Sequence, residues 1–314
     1  MVIGTTEGAA LRGIALKLAS IAVFMGMATA IKISAEHVPP GELVFFRSLF
    51  AIPVILAWLW WRGELRTGLR TDNPMGHLWR GLVGGVAMGL SFTALGLLPL
   101  PEVTAIGYAA PLLVVVFAAM FLGEQIRLYR LAAVFIGLLG VIVVLMPRLS
   151  VIGLEAATKD ETVGAMAMLL GAVFMALAVC FVRKMVETEE TSAIVFYFSL
   201  SCTALSLLTL PFGWVVPDLH EAGLLVLAGL LGGAAQSLLT ESYRHADAGV
   251  IAPFDYCSML LSVAVGWFVF AEAPTGTTLA GAALVISAGL VIIFRERQLG
   301  LERARARRSV TQSG

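Results

Sequence analysis

Ten apolar stretches of about 20 residues each run through this chain, and the last five repeat the pattern of the first five. Each stretch is long enough to cross the hydrocarbon core of a bilayer as a helix. Because five crossings end on the far side of the membrane, the second five begin there, and the two halves are inverted. Inverted halves are typical of secondary transporters. The predicted helices are 12–34, 42–61, 77–98, 102–122, 128–147, 162–182, 192–212, 222–243, 249–270 and 276–294.

Composition places nearly the whole chain in the membrane. Of its 314 residues, 59% are hydrophobic and 13% are charged, and the mean hydropathy is +0.92. Soluble domains average about 45–50% apolar and about 25% charged residues. Ten crossings use about 200 residues, so only short loops remain. The sequence therefore predicts an all-α integral membrane protein without a soluble domain of ordinary size.

The two halves match at one constant offset in sequence. Adding 148 to three residue numbers in the first half gives the same residue type in the second half. The matched pairs are Gly84 with Gly232, Tyr108 with Tyr256, and Glu124 with Glu272. We predict one five-helix repeat over 12–147 and a second over 162–294, with a linker at 148–161 and a basic tail at 295–314.

The distribution of Lys and Arg predicts the orientation. With the N-terminus inside, 17 of the 21 basic residues fall on the cytoplasmic side, and three (Lys32, Arg148 and Lys159) fall outside. This asymmetry follows the positive-inside rule and predicts that both termini are cytoplasmic. The linker then lies on the outer side, and the basic tail lies near anionic headgroups. We expect a multi-pass protein of the cell's inner (plasma) membrane.

Several short motifs occur in order along the chain. They are Phe45-Phe46-Arg47-Ser48-Leu49-Phe50 in helix two, the run from Pro101 to Pro111 with Tyr108-Ala109-Ala110, Phe121-Leu122-Gly123-Glu124 after helix four, and Phe270-Ala271-Glu272 after helix nine. In these motifs the chain resembles the drug/metabolite transporter superfamily, specifically its EamA-type permeases, over residues 12–294. The second half departs from the pattern at Phe254-Asp255-Tyr256-Cys257, and helix seven has no basic residue to match Arg47.

This resemblance implies a transporter of small metabolites. It also implies that helices one to four and six to nine line the cavity, while helices five and ten lie outside. Within this set we expect the site to be bounded by helices one, three, four, six, eight and nine. Helix ten supports this expectation, because its only polar residues are Thr277, Thr278 and Ser287.

Charged residues inside the spans are the first candidates for the site, because each costs at least about 2.5–3.5 kcal/mol in hydrocarbon. Asp255 lies six residues into predicted helix nine, about 9 Å from the cytoplasmic boundary. It is expected either to bind a substrate amine or proton, or to be satisfied locally. Arg47 lies at a similar depth below the outer face, where it either holds a carboxylate or phosphate or extends to the interface. Their separation in depth, about 10 Å, argues against a direct pair between them.

Polar and aromatic side chains supply further candidates. We predict that Tyr108, Tyr256, Gln236 and Lys32 contribute to substrate binding or coupling, with packing or interfacial roles as the alternative. Glu124 and Glu272 close helices four and nine on opposite faces and are predicted to be gating or structural residues. Glu241 belongs to the same group and is expected to pair with Arg244.

Other classes of protein have less support. Neither a His-Glu-x-x-His motif nor a nucleophilic serine with a placed base is present, so an enzyme is not expected. No phosphate-binding loop or filter loop is visible, which argues against ATP coupling and against a channel. We expect no cofactor, no metal and no nucleic-acid partner; a homodimer is left open. The sequence favours a secondary transporter that exports an amino acid or related metabolite, and uptake of riboflavin or S-adenosylmethionine is the alternative. A scaffold role has less support, because it leaves the cost of Asp255 and Arg47 unexplained.

Overall fold

Helices form the whole framework of the computed structural model, which describes residues 7–122, 128–148, 158–186, 188–246 and 248–312. Ten helical segments in these ranges are long and apolar enough to span a membrane. This confirms the predicted fold class. They are α1 (Glu7–Ser34), α2 (Pro40–Trp61), α3 (Pro74–Leu97), α4 (Leu100–Gly107 with Ala109–Leu122), α5 (Leu128–Leu145), α6 (Lys159–Met185), α7 (Thr191–Ser206, extended by a 3-10 turn over Leu207–Phe212), α8 (Leu219–His245), α9 (Ala248–Ile251, a 3-10 turn over Ala252–Tyr256, then Cys257–Phe270) and α10 (Gly276–Gln312).

Capping explains why several helices begin before their apolar stretch. At the start of α6, the Thr158 hydroxyl accepts from the Glu161 amide while the Glu161 carboxylate accepts from the Thr158 amide. Asp218 and Glu221 form the same capping box at α8. Both helices therefore start three residues before the predicted span. At the other end of the chain, α10 continues without a break into the predicted basic tail.

The contacts between neighbouring helices fix their directions. Helix α1 is antiparallel to α8, since the Ser20 hydroxyl donates to the Ala235 carbonyl and Gly13 packs against Ala246. Helix α8 is parallel to α2, which is antiparallel to α7. Helix α7 is parallel to α3, and α3 is antiparallel to α6. It follows that α1 and its repeat equivalent α6 run in opposite directions, as an inverted repeat requires.

Helix pairing obeys the same symmetry. The extensive contact between α1 and α8 corresponds to the contact between α6 and α3 in the other repeat. In the same way, the contact between α2 and α8 corresponds to the contact between α7 and α3. Helices α5 and α10 pair with each other, and Gly140 and Gly281 bring their backbones together. Small residues at such crossings allow the close packing that holds helices together in lipid. The central bundle is thus formed by the other eight helices.

Candidate functional site

A cavity of about 720 Å³ lies between α2, α3, α6, α7 and α8. It reaches the end of the bundle that carries Arg62, Arg183 and Arg244, which we call the basic face; the other end is the opposite face. The cavity also reaches Gln236, which lies about 14 Å along α8 from His245. Its lining includes Trp58, Arg80, Arg183, Phe198, Gln236 and Tyr243.

The helices around this cavity differ from the predicted set. We expected helices one, three, four, six, eight and nine, but α2 and α7 line the cavity, whereas α1, α4 and α9 do not. The reason is that the middle of α4 packs directly on α9 and fills the space between them. Of the predicted substrate residues, Gln236 is in the lining.

Arg47 is buried in the middle of the bundle, with 7% of its surface exposed. Its Nε atom has no hydrogen-bond partner among the described residues. Gly232 of α8 leaves room for the guanidinium, because a Cβ atom there would lie 3.0 Å from Nε. The structure therefore does not extend Arg47 to the interface.

Asp255 lies in the 3-10 turn of α9, just before the helical segment Cys257–Phe270. Its carboxylate is 51% exposed and binds the buried ammonium of Lys17 at 2.6 Å. Lys17 also lies over the ring of Tyr243. As expected, Asp255 does not pair with Arg47; its partner is a lysine that the charge count had assigned to the cytoplasmic side.

Lys32 and Glu272 form a second ion pair on the opposite face, with 2.9 Å between Nζ and Oε1. The Lys32 ammonium also donates to the carbonyls of Leu95 and Leu98 at the end of α3. Glu272 accepts from the amide of Leu100, the first residue of α4. This cluster ties together the ends of α1, α3, α4 and α9.

Tyr108 and Tyr256 meet where α4 and α9 are interrupted. The helix α4 breaks at Tyr108, and the 3-10 turn of α9 ends at Tyr256. Their rings pack edge to face with centroids 5.2 Å apart, and the hydroxyls of Tyr108 and Ser258 are 2.7 Å apart. These two predicted substrate residues thus join the repeat-related breaks instead of lining the cavity.

The predicted gating glutamates have separate positions. Glu241 does not pair with Arg244; it binds Arg62 of α2 at 2.7 Å, and Arg244 lies 3.8 Å from Glu64. This difference arises because the end of α8 packs against the end of α2. Glu124 lies outside the described residues.

A family comparison agrees with this architecture. The model of the EamA-like transporter family matches residues 11–146 and again 162–295. The chain belongs to the EamA-like transporter family. Several relatives of this EamA-like transporter have curated names. The chain is 28% identical to an S-adenosylmethionine uptake transporter of Rickettsia felis, and the alignment covers 82% of this chain and 84% of the relative.

Two further relatives have different named substrates. A pseudopaline exporter of Pseudomonas aeruginosa is 30% identical, over 89% of this chain and 95% of the exporter. A riboflavin transporter of Rhizobium johnstonii is 29% identical, over 82% of each chain. Among the solved structures that match is a crystal structure with a TM-score of 0.64 at 25% identity, and the match covers 91% of this chain and 98% of the other. The EamA-like transporter is therefore a small-molecule transporter spanning the membrane several times.

Sequence reasoning missed several buried polar residues of this transporter. Glu189, between α6 and α7, accepts from the backbone amides of Asp72 and Asn73 and lies 3.1 Å from the His77 ring. Burial raises the pKa of Glu189, but the hydrogen bonds from His77 and the Asp72 amide outweigh it and hold the pKa below its ordinary value. On the opposite face, buried Glu42 accepts from the Val215 amide. Each glutamate anchors the loop that precedes α3 or α8.

Neither a metal centre nor a redox site is evident in the ranges that the structure describes. No group of three or more His, Cys, Asp or Glu residues there has the arrangement of a metal site. Cys180 and Cys202 are buried, and no disulfide joins any of the three cysteines in the structure as described.

Proposed function

We propose that this EamA-like transporter is a secondary active transporter that moves a small polar organic metabolite across the inner (plasma) membrane by alternating access. Export of an amino acid or related compound is the first choice. The basic face is cytoplasmic in this proposal, in line with the positive-inside rule.

The observation that carries the proposal is the contrast between the two faces. A cavity of about 720 Å³ reaches the basic face and is lined by charged and polar groups such as Arg80, Gln236 and Thr240. On the opposite face, Lys32 and Glu272 tie the ends of four helices. A site open on one side and closed on the other is one of the two states of an alternating-access carrier.

The inverted repeat supplies the means of exchange between the two states. Helices α4 and α9 break at repeat-equivalent tyrosines that contact each other. Rocking about this contact opens the Lys32–Glu272 cluster and closes the cavity at the basic face. Asp255, half exposed beside Lys17, is the proposed proton-coupling group.

Uptake of riboflavin or S-adenosylmethionine is the second candidate. It is favoured by the curated relatives named for those substrates, at 29% and 28% identity. The pseudopaline exporter, at 30% identity, favours export. An enzymatic activity is not part of the proposal.

The test is substrate counterflow in proteoliposomes. A panel of amino acids, riboflavin and S-adenosylmethionine is offered to wild type and to Lys32→Cys/Glu272→Cys, in a background where the native cysteines are alanine. We expect wild type to accumulate at least one solute. Cross-linking of the cysteine pair with a bifunctional methanethiosulfonate reagent, which spans the length of the original ion pair, should stop this transport by locking the opposite face, and reductant should restore it.

The single variants Lys32→Cys and Glu272→Cys are the controls, because they cannot form the cross-link. Transport that continues undiminished in the cross-linked protein contradicts alternating access. Asp255→Asn tests coupling in the same vesicles, and transport that keeps its full pH dependence in this variant removes Asp255 from that role.

A further inference from the structure

Two arginines lie inside the bundle without a carboxylate partner among the described residues. Arg47 of α2 and Arg80 of α3 form no ion pair there. The buried atoms Arg47 Nε, Arg80 Nε and Arg80 Nη1 have no hydrogen-bond partner in this part of the chain. Unpaired guanidinium groups are costly in a low-dielectric interior, and charged residues within membrane spans mark substrate pathways. Two guanidinium charges that the described residues leave unneutralised call for an anion from outside.

Arg80 points toward the middle of the bundle. Helix α3 begins at the basic face, and long helical side chains usually lean toward the helix N-terminus, which would bring this guanidinium to water. Instead it lies against Gly84, one turn deeper, and stacks on Phe198 with 4.1 Å between its central carbon and the ring centroid. The conformation is therefore not that of an arginine extending to the interface.

The duplicated glycines make room for both guanidinium groups. Gly84 lies beside Arg80, and Gly232 lies beside Arg47. These glycines are equivalent positions of the two repeats. A side chain at Gly84 would collide with Arg80 Nη1 and would lie 2.8 Å from Phe198. The repeat thus supplies a small residue at each place where the structure inserts a charge.

Arg80 also lines the cavity that reaches the basic face. Arg47 lies behind it, close enough for the two charges to interact, and both are near Cys202. A guanidinium presents a planar set of donors that matches the oxygens of carboxylate and phosphate groups. Arg80 can contact a solute in the cavity directly, while Arg47 adds a second positive charge to the field at its inner end.

From these observations we infer that the inner end of the cavity binds an oxyanion group, carboxylate or phosphate, of the transported solute, with Arg80 as the contacting residue and Arg47 as the supporting charge. The inference rests on the proposed function and specifies its substrate class as anionic organic solutes.

The test uses pairs of solutes that differ in one anionic group. The melting temperature of the purified full-length chain is recorded with methionine and methioninamide, riboflavin and riboflavin 5′-phosphate, and adenosine and adenosine 5′-phosphate. In at least one pair, the anionic member is expected to stabilise wild type while the neutral member does not. Arg80→Gln and Arg47→Gln should each weaken the apparent affinity at least tenfold, and Arg80→Lys should weaken it less. Arg70→Gln, an exposed arginine outside the cavity lining, is the matched control and should leave it unchanged.

The ligand-free melting temperature separates a binding role from a structural one. Because the two charges are unpaired in the bundle, Arg80→Gln and Arg47→Gln should leave the ligand-free protein at least as stable as wild type. Lower melting temperatures in both variants overturn the inference. The titration is repeated in nanodiscs of phosphatidylcholine and of phosphatidylglycerol to distinguish a solute from an anionic lipid headgroup. If phosphatidylglycerol abolishes every solute response, the site binds lipid and the inference is overturned.

Two other outcomes overturn it: no anionic member stabilises wild type, or both members of every pair do so equally. Transport in proteoliposomes separates this inference from the proposed function. If wild type and Arg80→Gln carry a neutral solute at the same rate, the proposed transport function stands and the anion site is refuted. If anion binding needs both arginines but no solute is transported, the anion site stands and the proposed transport function is refuted.

Discussion

Helix α1 carries two lysines that pair with carboxylates at opposite ends of α9, and the two pairs differ in what surrounds them. Lys32 and Glu272 also hold the backbones of α3 and α4, and Glu272 is 21% exposed. Lys17 binds Asp255 and lies over the ring of Tyr243, and the Asp255 carboxylate is 51% exposed. The first pair ties the ends of four helices together on the opposite face, whereas the second lies beside Tyr243, which lines the cavity at the basic face. The same two helices therefore provide a tight contact on one side of the membrane and a looser one on the other.

The largest effect on stability is expected when Lys32 is replaced by methionine, and the same change at Lys17 is the comparison. Lys32→Met leaves Glu272 and two carbonyls without their cation and should lower the free energy of unfolding by about 3 kcal/mol. Lys17→Met leaves a half-exposed carboxylate and should cost about 1 kcal/mol or less. The measurement is SDS titration in mixed micelles. The double variant Lys32→Met/Glu272→Gln should recover most of the loss, and equal losses in the two single variants would contradict the contrast between the faces.

A second effect concerns the basic face, where Glu189 anchors the loop before α3. Glu189→Gln should cost about 1.5–3 kcal/mol at pH 7, because it weakens charge-assisted hydrogen bonds. The pKa of Glu189 lies below its ordinary value of 4.5 in the folded protein. Its contribution is therefore present above pH 4.5 and is lost as the pH falls through the lower folded pKa.

Melting temperatures between pH 3 and pH 7 check this prediction. The exposed neighbour Glu190 provides the control, and Glu190→Gln should follow the wild-type curve. If the melting temperature of Glu189→Gln falls as much between pH 7 and pH 3 as that of wild type, the Glu189 carboxylate is not responsible for holding the loop.

A third, smaller effect compares arginines on the two faces. Arg148, at the end of α5, binds both oxygens of buried Glu102 and also contacts Glu161. Because lysine cannot bind in this bidentate manner, Arg148→Lys should cost about 1–2 kcal/mol. Arg62→Lys on the basic face should cost about 0.5 kcal/mol. The measurement is SDS titration of both variants. A larger loss of stability in Arg62→Lys than in Arg148→Lys would contradict this prediction.

The smallest effect is expected at the contact between the two breaks. Tyr108→Phe removes the hydroxyl contact with Ser258 and should cost about 0.5–1 kcal/mol. Tyr256→Phe is its repeat-equivalent control and should cost less. If this contact is the pivot, Tyr108→Phe should change the transport rate more than it changes the melting temperature. A rate equal to that of wild type would remove it from that role.

The fold could be predicted from sequence because it depends on simple quantities. The length of an apolar stretch indicates a crossing, and an odd number of crossings in each half requires inversion. The length of an apolar stretch does not give the ends of a helix, because polar capping residues such as Thr158 and Asp218 extend α6 and α8 beyond it.

The candidate site could be predicted only in part. Asp255 and Arg47 stood out as charges within apolar stretches, but the partner of Asp255 is Lys17, far away in the chain, and no local pattern indicates that pairing. Counting basic residues near span ends assigned Arg80 to the cytoplasmic side. Its spacing of four residues from Gly84 was the available signal, since a guanidinium can lie over a glycine one turn away.

The most direct test of alternating access is a pair of distances measured in one experiment. Spin labels at Glu36 and Ala273 report on the opposite face, and labels at Glu190 and Arg244 report across the cavity at the basic face, in a background without native cysteines. Double electron–electron resonance is recorded in nanodiscs with and without the solute found to be transported. We predict that the solute populates a state in which the first distance widens and the second narrows. Distances that stay constant, or that widen together, would contradict alternating access.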